Sequence, residues 1–400
     1  MNLRLAKGLK KKISLIKMIK ILHLTTHLNI GGIASYIKLL TKEMQKMPYQ
    51  FYVVSSGGTQ EAYLRQNGVK CTSMRIKTKN ELSPKLYFAI PKIIRLIRDE
   101  KIDLIHAHTR VTQVLAWWLQ RLTGIRYIST CHGFYKTRIG RRLMPAWGNH
   151  VIAISKPVEG SLIIDFKVPK SKITTIFNAI DIEDLVERYK SKNAAQIRSE
   201  LQLTQENKVI GIVARVVQDK GHEYFLKAAE KLIAKDFPKL KILIVGDGPY
   251  MDSTKQLVKR LKLEHSVRFL GNINDITYAL SVIDVFILPA IWREGFGLSI
   301  IEAMAVSKPV IVTNIWALNE LVQNRVNGLL VEPKSVEELA GAIDQLLSDP
   351  GLYEKISKNG AEMVKKEFSI NLMAKRVDTL YRSMIEFPQE IFLDHVGDPR

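Results

Sequence analysis

Residues 284–314 read DVFILPAIWREGFGLSIIEAMAVSKPVIVTN, and the way this stretch divides decides the fold. Val285-Phe286-Ile287-Leu288 is a short apolar run stopped by Pro289, the pattern of a buried strand. A loop with Gly295 and Gly297 follows. Ser299 to Ala305 then reads as a helix, with Ser299 expected as its N-cap three residues ahead of Glu302. A strand, a glycine turn and a helix in this order bring backbone N–H groups and the positive helix end to a point where phosphate binds. Glu294 in the loop and Glu302, expected in the first helical turn, flank that point with seven residues between them. A carboxylate repels phosphate, so both are expected to accept hydrogen bonds from hydroxyls. Phosphate donors beside hydroxyl acceptors describe a nucleotide-sugar site.

The same alternation extends outward in both directions. Upstream, apolar runs at Met18–Leu24, Gln50–Ser55, Lys70–Ile76, Ile102–His106, Tyr127–Thr130, Val151–Ser155 and Ile173–Ile176 predict strands separated by amphipathic helices. Among those helices, Pro84–Lys101 holds Pro91, which predicts a kink or a late start. Ser155 is expected to cap another. Asp181–Gln205 is polar and charged, and is read as the linker and its following helix. The pattern restarts with strands at Val209–Val213, Lys241–Val245 and Val267–Leu270, and after the opening stretch at Gly328–Val331. Repeated strand–helix alternation predicts parallel sheets covered by helices on both faces, an α/β architecture.

A chain of 400 residues exceeds one ordinary core, so two domains are expected. No apolar run approaches the length that spans a bilayer. The lysines at 10, 11, 12, 17 and 20 interrupt the apolar start, unlike a secretory signal. Cys71 and Cys131 give neither a disulfide framework nor metal spacing, which suits a reducing cytoplasm. The net charge of +21 is unevenly spread. Residues 1–170 hold 30 of the 60 Lys and Arg but 8 of the 39 Asp and Glu, so the whole excess lies in the first half and points to a polyanionic partner there.

Other positions carry chemistry. Arg215 and Lys220 follow the strand Val209–Val213 and precede a helix, two cations placed to bind a diphosphate; each charge-assisted hydrogen bond is worth on the order of 1.5–3 kcal/mol. Gly31-Gly32 makes a similar strand-to-helix turn. His132 ends a strand in Thr130-Cys131-His132-Gly133 and reads either as a site residue or as a hydrogen-bonded core histidine. His106 and His108 share a strand end, and without further ligands they read as structural. Gly246-Asp247-Gly248-Pro249 lacks the third glycine of a dinucleotide fingerprint. Trp117, Trp118 and Trp147 read as core before interface.

Taken in order, Gly31-Gly32, His132, Arg215 with Lys220, Gly246-Asp247-Gly248 and Glu294-Gly295-Phe296-Gly297 with Glu302-Ala303-Met304-Ala305 resemble the motifs of family 4 glycosyltransferases, from Gly31 to Pro333. Ala214 and Asp219 stand where that family often has Gly and Glu; neither change removes a cation. The resemblance implies a GT-B fold, two Rossmann-like domains facing a central cleft, with a C-terminal helix returning to the first domain. The expected division is 1–185 for a basic acceptor domain, 186–369 for a donor domain, 370–387 for the returning helix and 388–400 for a tail. It implies a retaining transferase moving a sugar from a nucleoside diphosphate to an acceptor hydroxyl in lipopolysaccharide or surface polysaccharide assembly. His132, Arg215, Lys220 and Glu294 would serve catalysis. Gly31, Gly32, Arg215, Lys220, Gly246, Gly271, Glu294, Gly295, Phe296, Gly297, Leu298 and Glu302 would bind the donor, with no metal or other cofactor. The expected partners are the nucleotide-sugar donor, a lipid-linked or saccharide acceptor and an anionic membrane reached through Pro84–Lys101 or Lys136–Arg142. The expected place is the cytoplasmic face of the inner membrane. A nucleotide-sugar epimerase of the same fold and a nucleic-acid-binding protein are the alternatives; no RNA-binding signature accompanies the charge.

Overall fold

A computed structural model describes residues 17–386 except 79, 82, 138–139 and 142–143. The basic first 16 residues, Arg142 and the tail at 388–400 lie outside the described residues. The strands form two parallel sheets. The first has the order β3-β2-β1-β4-β5-β6-β7, built from β1 (Ile19–Leu24), β2 (Tyr49–Ser55), β3 (Lys70–Ser73), β4 (Leu104–Ala107), β5 (Tyr127–Cys131), β6 (His150–Ala153) and β7 (Ile173–Thr175). The second has the order β10-β9-β8-β11-β12-β13, from β8 (Val209–Val213), β9 (Lys241–Val245), β10 (Val267–Gly271), β11 (Val285–Leu288), β12 (Val310–Thr313) and β13 (Leu329–Val331). Their strands are near-continuous apolar runs because helices cover both faces.

Both sheets reverse their strand order once, between β1 and β4 and between β8 and β11. In such sheets ligands bind in the crevice beyond the carboxyl ends of the strands at this reversal, where successive connections leave to opposite faces. Gly31 follows β1, Arg215 follows β8 and Glu294 follows β11, so topology alone sends these motifs to crevices.

Each face of the first sheet has its own core. Helices Pro84–Glu100 and Arg110–Thr123 pack on one face through Leu86, Ile93, Leu115 and Leu119. Helix Gly32–Met44 and the terminal helix Ile370–Glu386 cover the other. The terminal helix thus returns to the first sheet as expected, burying Ile370, Met373, Val377, Leu380 and Tyr381 there. At about 1.5–3 kcal/mol per large buried side chain, its docking contributes on the order of 10 kcal/mol before ordering entropy is subtracted.

Several local expectations change. Ser299 does not cap its helix, which spans Leu298–Ala305 and has Gly297 as N-cap with no side-chain cap bond. Gly297 adopts φ 96°, ψ 52°, a left-handed conformation that glycine takes without strain, and this starts the helix before Ser299 is reached. Glu302 consequently sits beyond the first turn. Pro91 does not delay its helix, which begins at Pro84 and runs through to Glu100. Pro91 is exposed, on the face where a carbonyl left by its missing N–H is open to solvent at least cost. The strand expected to reach Ile76 ends at Ser73, a short edge strand. Asp181–Gln205 holds two helices, Ile182–Lys190 and Ala194–Glu200, capped by the side chains of Asp181 and Asn193. Pro350 opens the helix Pro350–Glu367, which Asp349 caps, at a position where its missing N–H costs no helical bond.

Candidate active site

The carboxyl ends of the two sheets enclose a cleft of about 1390 Å³. Gly31, Gly32, His132, Arg215, Lys220, Gly246, Glu294, Gly295, Phe296, Gly297, Leu298 and Glu302 all line it. Gly271 does not. It still belongs to β10, and its carbonyl accepts from the Gly246 N–H at 2.7 Å; the next residues, Asn272 and Ile273, face the cleft instead.

Lys220 and Glu294 are in direct contact as a hydrogen-bonded ion pair. The turn carrying Lys220 is held against the loop carrying Glu294 by a bond from the Ile291 N–H to the Asp219 carbonyl at 2.8 Å. An ammonium has three protons, so Lys220 can keep Glu294 and still donate to phosphate. Glu294 Oε1 also accepts from the Gly295 N–H at 3.1 Å. At Gly295 the halves of the cleft approach each other closely. A Cβ there would lie 3.3 Å from the Gly133 Cα and from the His132 carbonyl oxygen. Across the same gap Ser155 Oγ donates to the Gly295 carbonyl at 2.9 Å, while accepting, as the expected cap, from Val158 N–H.

Glu302 is half-buried on the wall of the cleft. Burial pushes its carboxyl up to about 7, with Arg188 opposing and Asp275 adding to the rise. Arg188 in turn bonds Asp184 and Asp275, and Lys192 bonds Asp275 at 2.7 Å. An acid raised in the folded state binds its proton more tightly there than when unfolded. The stability this gives is complete below the unfolded value of about 4.5 and lost as pH rises through about 7. The Glu302→Gln protein is therefore expected to be more stable than the wild type at pH 8, by on the order of 1–3 kcal/mol, and to lose that advantage at pH 4.5. Urea unfolding at both pH values checks this; an advantage of equal size at both would contradict it.

His132 combines both readings of the sequence. It lines the cleft and is also hydrogen-bonded inward, its Nε2 3.1 Å from His108 Nδ1. His108 Nε2 lies 2.8 Å from His23 Nδ1. His106 bonds Tyr381 Oη and Thr130 Oγ1, each at 2.6 Å. His23, His106 and His108 are the one close trio of possible metal ligands among the described residues, yet five of their six ring nitrogens already face protein partners. The structural reading of His106 and His108 fits this better than ligation.

Sequence reading missed the mouth of the cleft. Trp292 and Trp316 are 62% and 53% exposed, and the Arg293 guanidinium lies 5.4 Å from the Phe134 ring and 5.3 Å from the Trp316 ring. A second cavity of about 420 Å³ opens beside them and shares Arg293 and Asp165 with the cleft. The one signal in the sequence is position, since Trp292 and Trp316 each follow shortly after an apolar strand run. Trp147 is buried and Trp117 and Trp118 half-buried, so these three are mainly core.

Residues 193–363 match the family description "Glycosyl transferases group 1", and residues 30–184 match "Glycosyltransferase Family 4". The chain is 27% identical over 378 residues to an uncharacterized glycosyltransferase of Methanocaldococcus jannaschii, covering 89% of this chain and 95% of that one. It is 29% identical to a UDP-Gal:alpha-D-GlcNAc-diphosphoundecaprenol alpha-1,3-galactosyltransferase of Escherichia coli, over 73% and 78% of the two chains. Among solved structures, a glycosyltransferase from Rickettsia africae superposes with a TM-score of 0.81 at 24% identity, covering 93% of this chain and 99% of that one. A protein of Anabaena, HepE in complex with UDP and glucose, gives 0.79 at 22% identity, covering 91% and 100%. These structures share the two-sheet GT-B architecture.

Proposed function

Because the chain belongs to glycosyltransferase family 4, we propose that it moves a sugar from a nucleoside diphosphate to an acceptor hydroxyl with retention at the anomeric carbon. One observation carries this reading. Two cations from the turn after β8, and two carboxylates and a helix N-terminus from the segment after β11, converge on one cleft between the sheets. As the donor bond breaks, charge grows on the diphosphate while the sugar becomes oxocarbenium-like. Arg215, Lys220 and the N–H groups at Leu298 stabilise the growing anion. Glu302 accepts from the ribose hydroxyls, and Glu294, steadied by Lys220, accepts from sugar hydroxyls. Glu294 and Glu302 lie on the same chain segment, not across a scissile bond as in a glycosidase. That favours same-face attack by the acceptor assisted by the leaving phosphate over a covalent glycosyl intermediate.

The test is to incubate sugar nucleotides with lipid extracts and follow the product's anomeric configuration by NMR. The reading expects donor consumption that depends on acceptor and gives a retained anomer. Donor conversion without acceptor would support an epimerase, and an inverted product would end the same-face mechanism.

Lipid-linked glycan assembly for a surface polysaccharide is the preferred setting, supported by the diphosphoundecaprenol acceptor named for the E. coli relative. No helix among the described residues is long and apolar enough to cross a membrane. The basic helix Pro84–Glu100, with Phe88 80% exposed, supports peripheral contact with an anionic bilayer, where each Lys or Arg contributes on the order of 1 kcal/mol. The protein is expected to sediment with phosphatidylglycerol vesicles at low salt and to leave them at high salt; equal sedimentation with phosphatidylcholine would remove this element. The cations that neutralise the diphosphate belong to the chain itself, so turnover is expected to survive EDTA. Loss of activity restored by Mg²⁺ or Mn²⁺ would overturn that.

A further inference from the structure

We propose that His23 and His108 are positioning residues that fix the ring of His132 in one tautomer, with its proton on Nδ1, through two hydrogen bonds running inward from the cleft. The contacts are His132 Nε2 to His108 Nδ1 at 3.1 Å and His108 Nε2 to His23 Nδ1 at 2.8 Å. Burial holds His132 and His23 down to about 3 and His108 well below the ordinary imidazole value, so all three rings are neutral at pH 7. A neutral imidazole has one N–H and one lone pair. His108 therefore donates in one contact and accepts in the other, and only two proton orders exist. In one, every ring carries its proton on Nδ1. In the other, every ring carries it on Nε2.

The inner end of the chain selects between them. His23 Nε2 is buried without a hydrogen-bond partner among the described residues. In the Nε2 order that atom is an orphaned N–H, the rarer and costlier defect; in the Nδ1 order it is only an unused lone pair. His106 does not enter the chain, because Tyr381 and Thr130 hold both its nitrogens, but its ring packs 4.1 Å from that of His108. The result at the cleft is a neutral N–H donor. It can bond a sugar oxygen without placing positive charge beside an oxocarbenium-like carbon. That consequence rests on the glycosyl-transfer reading, whereas the tautomer order does not.

The order is measurable on the free protein, without any ligand. Long-range ¹H–¹⁵N correlation at pH 7.5 on ¹⁵N-histidine protein, with signals assigned from single substitutions, reports the tautomer of each ring. The expected result is Nδ1–H at His23, His108 and His132. In the His23→Met protein a thioether, which accepts and cannot donate, faces His108 Nε2 in place of the N–H, so the Nε2 order no longer leaves an orphaned donor and the Nε2–H form of His132 is expected to rise to a comparable population. The His23→Asn amide, donating in place of Nδ1–H, should keep the wild-type pattern. If His23→Met does not fold, the wild-type spectrum decides alone. An Nε2–H or cationic His132 in the wild type, or an unchanged His132 in folded His23→Met, overturns the proposal. Nδ1–H order in a protein that transfers no sugar would support it and defeat the functional reading instead.

Discussion

Replacing Lys220 or Arg215 by alanine is expected to lower turnover by a factor on the order of 10²–10³ each, the usual cost of removing one preorganised donor from a developing anion. The two side chains approach the cleft from one turn beyond β8, so they act on the same leaving group and their effects should not add. Lys220→Ala has a second consequence, since Glu294 loses its ionic partner and keeps only the Gly295 N–H among the contacts described above. Apparent donor affinity should therefore fall more for Lys220→Ala than for Arg215→Ala. Steady-state rates over a range of donor concentrations separate the two. Near-normal rates in both proteins would remove the diphosphate role.

Gly221→Ala is expected to cost about 3 kcal/mol or more in stability, by two mechanisms acting at one atom. Gly221 has φ 71°, and a Cβ built there falls 1.8 Å from the Pro289 carbonyl oxygen. The backbone cannot yield cheaply, because Gly221 both ends the turn carrying Lys220 and starts the helix His222–Lys235. The clash falls on the segment that leads from β11 to Glu294. Separation of these loops would pull Lys220 away from Glu294, so activity should fall along with the urea midpoint. A Gly221→Ala protein with wild-type midpoint and wild-type activity would show that the close approach of the two loops is not needed.

Much of this arrangement was legible from residues 284–314 because a buried parallel strand, its stop and the glycine turn are local signals. Val285–Leu288 is a strand as read. Ser299 matches a capping pattern, but the helix starts from the left-handed turn at Gly297, where a Cβ would lie 2.9 Å from Ile300 and 3.2 Å from Leu318, and the Leu318 neighbour is not a local signal. The family resemblance puts Gly271 among the donor-binding residues; a main-chain bond to Gly246 keeps it in the sheet. The contact of Lys220 with Glu294 spans 74 residues and has no local signature. The same holds for the histidine chain, whose members come from β1, from the end of β4 and from the end of β5 and meet only because β1 pairs with β4 and β4 with β5. The exposed Trp292 and Trp316 escaped notice because single tryptophans in loops carry no periodicity.

Titration calorimetry of UDP and GDP against the wild type and the Lys220→Ala and Arg215→Ala proteins tests most directly whether the cleft between the sheets receives a nucleoside diphosphate. One of the two nucleotides should bind the wild type at one site per chain, at least tenfold more weakly when either cation is removed. Binding of neither, or equal binding by all three proteins, would contradict the account.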